Sequence, residues 1–79
     1  MFITTLELIS LLKSTPDVEY ECHLSIGHGI TSTHWWFFDS KCQRFQHLLS
    51  TSYYSISQEE FLLTYRNCLW NVNENHKLP

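Results

Sequence analysis

The clearest periodic signal is an alternation over residues 18–26. Val18, Tyr20, Cys22, Leu24 and Ile26 are apolar, and Glu19, Glu21, His23 and Ser25 between them are polar. A period of two predicts a half-buried strand with an acidic outer face. Gly27-His28-Gly29 follows and holds both glycines of the chain. Glycine supplies the positive φ that a tight hairpin needs. Residues 30–39 are rich in β-branched and aromatic side chains, so they predict the second strand. Asp39-Ser40-Lys41-Cys42 has turn chemistry, because Asp and Ser favour the first turn positions. Gln43 to Leu49 predicts a third, weaker strand. Ser50-Thr51-Ser52 is a polar break, after which Tyr53–Ile56 either extends the sheet or crosses it.

Helical periodicity brackets these strands. Thr4 followed by Glu7 forms a capping box, and Ile3 with Leu8 forms a hydrophobic staple. Leu8, Ile9, Leu11 and Leu12 continue as an apolar stripe until Pro16 breaks it. A helix is expected from about Thr5 to Ser14. Near the other end Ser57 and Glu60 repeat the box, with Ile56 and Phe61 placed for a staple. Phe61, Leu62, Tyr65, Cys68, Leu69 and Val72 recur at three- to four-residue steps, predicting a helix to about Trp70. Asn71, Asn73 and Asn75 mark its fraying, and 71–79 is expected to be a mobile tail.

The expected fold class is therefore α+β. A single small domain spans 1–79 in the order αβββα, a three-stranded antiparallel meander flanked by two helices. With 79 residues, 43% hydrophobic and 16% charged, the chain is too short for two domains and too apolar for disorder. No apolar run approaches the roughly 18 residues of a membrane span. Met1-Phe2-Ile3-Thr4 lacks a basic n-region, so it does not resemble a signal peptide. Cys22, Cys42 and Cys68 are widely spaced and odd in number, which argues for reduced thiols and a cytoplasmic protein.

Charge is uneven. Up to residue 39, Glu7, Asp17, Glu19, Glu21 and Asp39 face Lys13 alone, while the remainder carries a slight excess of cations. The net charge of -3 excludes a basic nucleic-acid binder, and a dense acidic mimic of DNA as well. The αβββα order resembles that of the double-stranded RNA-binding domain over nearly the whole chain, with Gly27-His28 in the first hairpin loop. That family grips phosphate with a lysine cluster at the start of its last helix. The matching positions here are Gln58, Glu59 and Glu60, which would repel phosphate. The resemblance thus implies an order of elements, and no RNA-binding function is carried over.

The unusual stretch is Trp35-Trp36-Phe37-Phe38. On a strand, Trp35 and Phe37 face one side while Trp36 and Phe38 face the other. One pair belongs to a core beneath the helices. With both helices on one face, the other pair lies on the open face of the sheet, rimmed by Glu19, Glu21 and His23; a helix on each face, or a tail folded back, makes both pairs core. An exposed aromatic patch with a polar rim has the make-up of a protein interface. The expected function is a small non-enzymatic protein-interaction module, a regulator, adaptor or inhibitor of a larger complex. Its partner would be another protein or a second copy, and neither nucleic acid nor membrane is expected.

Two alternatives belong to other classes. The first is a nucleic-acid-associated factor that keeps the RNA-binding domain's order of elements without its lysines. The second is a small metal or thiol site. Cys22, His28 and His34 fall at six-residue steps, with Cys42 and His47 nearby. Zinc sites favour close ligand pairs such as CxxC, and none is present, so neither metal nor cofactor is expected. A Cys42–His47 nucleophile would need an orienting acid and a pocket, and a small meander offers little concavity. Catalysis is not expected.

Overall fold

The computed structural model describes residues 1–25, 27 and 29–73. It contains eight elements: β1 (Phe2–Thr4), α1 (Thr5–Ser14), β2 (Tyr20–Ser25), β3 (Ile30–Asp39), β4 (Arg44–Leu49), β5 (Ser52–Ile56), α2 (Gln58–Thr64) and β6 (Leu69–Asn73). The six strands form one antiparallel sheet in the order β1-β6-β2-β3-β4-β5.

This corrects the three-stranded meander. β2, β3 and β4 do form a meander, but they are the middle of a larger sheet. β5 continues it with Phe45 opposite Ile56 and His47 opposite Tyr54. On the other side β6 pairs with β2, placing Cys22 opposite Val72 and Leu24 opposite Trp70. The first three residues then close the outer edge, with Ile3 opposite Trp70. The likeness in element order to the double-stranded RNA-binding domain ends with this finding.

The helix entries follow the local sequence. Thr4 Oγ1 accepts from the Glu7 backbone N–H at 3.2 Å, and Glu7 Oε1 accepts from the Thr4 backbone N–H at 3.0 Å. Those bonds hold the Glu7 carboxyl below its ordinary range. Ser57 caps α2 through the Glu60 backbone N–H at 3.2 Å. The end of α2 differs from expectation. The helix stops at Thr64, where the backbone of Tyr65 leaves helical geometry, and Cys68 N–H bonds back to the Tyr65 carbonyl at 3.1 Å. The chain then turns into β6. Asn71 to Asn73 are thus a strand, and 74–79 of the expected tail lie outside the described residues.

Both helices lie on one face of the sheet. Phe61 of α2 packs edge-on to Trp36 at 4.6 Å, contacts Phe45 and stacks over Trp70. Leu8 and Leu12 of α1 are fully buried beside them, and Lys13 Nζ sits 5.7 Å above the Phe38 ring. The core comprises these residues with Tyr20, Cys22, Leu24 and Ile56. Buried Thr5 ties three elements together. Its Oγ1 accepts from Trp70 Nε1 at 3.0 Å and donates to the Tyr65 carbonyl.

Side-chain turns complete the frame. Asp17 sits at φ 64 and accepts from the Ser40 N–H and hydroxyl at 3.2 and 2.6 Å, fastening the segment before β2 to the β3–β4 turn. Asp39 Oδ1 accepts from the Lys41 N–H at 2.9 Å and orders that turn.

A Thr5→Val variant keeps the side-chain shape but strands both the Trp70 N–H and the Tyr65 carbonyl. Urea unfolding should show a loss of about 1–3 kcal/mol. Leu8→Ala, which only empties space in the core, should cost about 2–5 kcal/mol.

Candidate functional site

The alternation of β3 divides the aromatic run between the two faces. Trp36 and Phe38 are 0% and 3% exposed and belong to the core beneath the helices. Trp35 and Phe37 are half-buried on the opposite face, which no described helix covers. Trp35 lies opposite Glu21 and Phe37 opposite Gln46. Of the seven residues expected at an interface, the structure gathers Trp35, Phe37, Glu19, Glu21 and His23 on the open side. It removes Trp36 and Phe38 from that surface.

β4 and β5 extend the aromatic region beyond the residues singled out from the sequence. Leu48 lies opposite Tyr53 on the same face. Tyr53, 47% exposed, meets Phe37 edge-on at 5.4 Å. Its hydroxyl donates to Glu19 Oε1 at 2.6 Å, which pushes the phenol above its ordinary range. The side chain thus spans from the edge strand across β4 and β3 to the segment leading into β2. Trp35, Phe37, Leu48 and Tyr53 form the apolar centre.

Beside this centre the face carries polar groups bonded to one another. Glu21 Oε2 lies 3.4 Å from His23 Nε2 and accepts from Asn73 Nδ2 at 3.3 Å. His23 Nδ1 is 3.2 Å from Thr33 Oγ1. At the far end Arg44 donates through Nε to Ser55 Oγ at 2.6 Å. The aromatic centre is therefore flanked by Glu19 and Glu21 on the β2 side and by Arg44 on β4, where Arg44 lies opposite Asp39.

A second cluster lies on the helix side and joins residues that sequence spacing left apart. Ser32, His34 and Trp36 project to one face of β3 at successive i, i+2 positions. Ser32 Oγ is 2.7 Å from His34 Nε2, and His34 Nδ1 is 3.0 Å from His47 Nε2. His47 is 9% exposed and stacks on Trp36 at 4.5 Å between ring centroids, while Trp70 meets His34 edge-on. Burial pushes His34 below its ordinary pKa. Burial, and then the neighbouring His34, pushes His47 down to about 4. Both rings are therefore neutral near pH 7. Cys22, opposite His34 in register, has its thiol pushed up to about 12 by burial and then by Glu21. It is neither a thiolate nucleophile nor a ready metal ligand. Among the described residues no three His, Cys, Asp or Glu side chains form a group that could hold a metal ion. Cys42 is exposed at the β3–β4 turn, with Gln46 Nε2 3.8 Å from its sulfur, and His28 lies outside the described residues.

The sequence carried one local trace of this cluster, the Ser-x-His-x-Trp spacing on a predicted strand. His47 could not be added from spacing, because its contact depends on the β3–β4 register that sets it opposite Trp36.

Two clefts flank α2. One, of about 490 Å³, lies between the start of α1 and the end of α2 and includes Thr5, Leu6, Leu62, Leu63 and Arg66. The other, of about 400 Å³, includes Gly27, Arg66 and Cys68. Neither is lined by Ser32, His34 or His47. Among the described residues no helix is long and apolar enough to cross a membrane. No protein-family model matches the chain, and neither the curated proteins nor the solved structures contain a significant match.

The histidine pair gives stability a defined pH dependence. Both folded pKa values lie below the unfolded value of about 6.5, so the unfolded chain binds protons more readily. The stabilising contribution is complete above about pH 6.5 and is lost as pH falls toward about 4. His47 accounts for a loss on the order of 3 kcal/mol. Among the described residues, Cys22 on β2, Tyr54 on β5 and Tyr65 at the end of α2 are the other titratable side chains around the pair. Denaturant titrations at pH 7 and pH 4.5 should show this loss in the native chain. A His47→Phe variant, which retains a ring against Trp36, should show a smaller drop over the same interval.

Proposed function

We propose that the chain works by binding protein, as a small interaction module of the regulator, adaptor or inhibitor kind, through the open face of its sheet. The observation that carries this reading is the one-sided placement of the helices. It leaves Phe37, Leu48 and Tyr53, beside Trp35, as an apolar strip that neither helix covers. Glu19, Glu21, His23 and Arg44 supply the polar rim. Aromatic centres with charged rims dominate binding energy at protein interfaces. The unpaired thiols of Cys22, Cys42 and Cys68 support a cytoplasmic setting.

In purified protein the occupant is a second copy. Two such sheets packed face to face cover both apolar centres at once, as in a β-sandwich. The gain is large for a chain of this size, because a small domain buries little of its own surface. A nucleic-acid ligand lacks comparable support, since among the described residues Arg44 is the only Lys or Arg on this face, and it is engaged with Ser55.

Light scattering on the purified protein should give about twice the monomer mass. Trp35→Glu and Phe37→Glu should each return the protein to monomer while leaving the circular dichroism of the fold intact. A native chain that stays monomeric at about 100 μM overturns the self-docking reading.

A further inference from the structure

We propose that Ser32, His34 and His47 form a nucleophilic relay, and that Ser32 is an acyl-accepting serine with His34 as its base and His47 as a positioning residue. This is independent of the docking face, which lies on the other side of the sheet. The geometry is that of a nucleophile, a base and an orienting group in a chain. The Ser32 hydroxyl is 2.7 Å from His34 Nε2, and the other nitrogen of the same ring is 3.0 Å from His47 Nε2. When Ser32 donates to Nε2, His34 carries its proton on Nδ1 and donates it to His47. One tautomer therefore satisfies both bonds.

Each residue has an exposure that fits its part. Ser32 is exposed and reachable, His34 is half-buried, and His47 is buried. The orienting ring is clamped by Trp36 on its face, and His34 is held at its edge by Trp70. Burial keeps His34 deprotonated near neutrality, the state a general base must occupy. Cys22, opposite His34 in register, does not compete for the base, since it directs its thiol to the Tyr20 carbonyl.

The substrate class follows from the surroundings. Ser32 lies outside both clefts beside α2, so the relay suits a small, uncharged, activated ester. In the step, Ser32 Oγ bonds to the acyl carbon and the bond to the leaving alkoxide or phenoxide breaks. The hydroxyl proton passes to His34 Nε2 and on to the leaving oxygen. Water then attacks the acyl carbon, His34 takes the water's proton and passes it to Ser32 Oγ as the acyl–Oγ bond breaks, which releases the carboxylic acid and restores the free serine.

The test is acetylation of the purified chain by p-nitrophenyl acetate, with nitrophenolate release followed by absorbance and the acetyl group located by peptide mass spectrometry. Ser32 should be modified about 10²-fold faster than exposed Ser10 and Ser52, the scale general-base assistance supplies. The rate should rise with pH and be half-maximal below pH 6.5. Ser32→Ala, a surface change, should abolish the fast phase without altering the fold. His34→Gln should reduce it to the rate of the other serines. His47→Phe should slow it about tenfold, and His47→Gln, which restores an acceptor, should recover part of the loss. Acetylation of Ser32 no faster than that of Ser10 and Ser52 overturns the proposal. So does a fast phase that survives Ser32→Ala.

Discussion

The fold depends on where its last described strand is inserted. β6 does not add to an edge of the sheet. It enters between β1 and β2, with Trp70 opposite Ile3 on one side and Leu24 on the other. Trp70 is fully buried, and its indole N–H must find an acceptor there. Thr5 supplies it and passes the bond on to the Tyr65 carbonyl at the end of α2. One side chain from α1 thereby fixes the exit of α2 and the seating of β6. Residues 60 and more positions apart in the chain are locked together, so the sheet closes only after both ends of the chain have arrived. Contacts of such long range are reached late in folding, because loop closure must be offset before they contribute.

Once β6 is in place, the two faces acquire different roles. Phe61 lies over Trp36, Phe45 and Trp70, and α1 fills the remaining space with Leu8 and Leu12. With both helices used there, no described helix or strand lies over the opposite face. Tyr53 answers part of this need by laying its ring against Phe37 and its hydroxyl on Glu19. Trp35 and Leu48 beside it are half-buried. The same division gives the histidine pair its character. His34 and His47 share the helix face with Trp36 and Trp70, where burial favours the neutral imidazole.

The misread segment lies at residues 65–73, and the reason is physical. Phe61, Leu62, Tyr65, Cys68, Leu69 and Val72 satisfy a helical period. Yet Cys68, Trp70 and Val72 also satisfy a period of two. Local pattern cannot choose between them when both periods mark apolar positions. The choice was made by distant partners, since the backbone groups of β6 bond to Phe2–Thr4 and to β2. β1 was missed for a related reason. Its three residues are too few to show alternation, and Ile3 had an adequate local role as a helix staple.

By itself the sequence determined what depends on neighbours within a few residues. The Thr4–Glu7 capping box, the Ser57 cap, the β2–β3 alternation and the Asp39 turn are local hydrogen-bond and steric preferences, and the structure keeps each of them. It also determined that Trp35 and Phe37 oppose Trp36 and Phe38, since a strand's geometry requires it. Only the tertiary structure decided which pair is core, because that depends on which face both helices cover. It alone brought Ser32, His34 and His47 into one chain of contacts. Register between strands sets such meetings, and register is fixed by the assembled sheet, with the burial of one face choosing it.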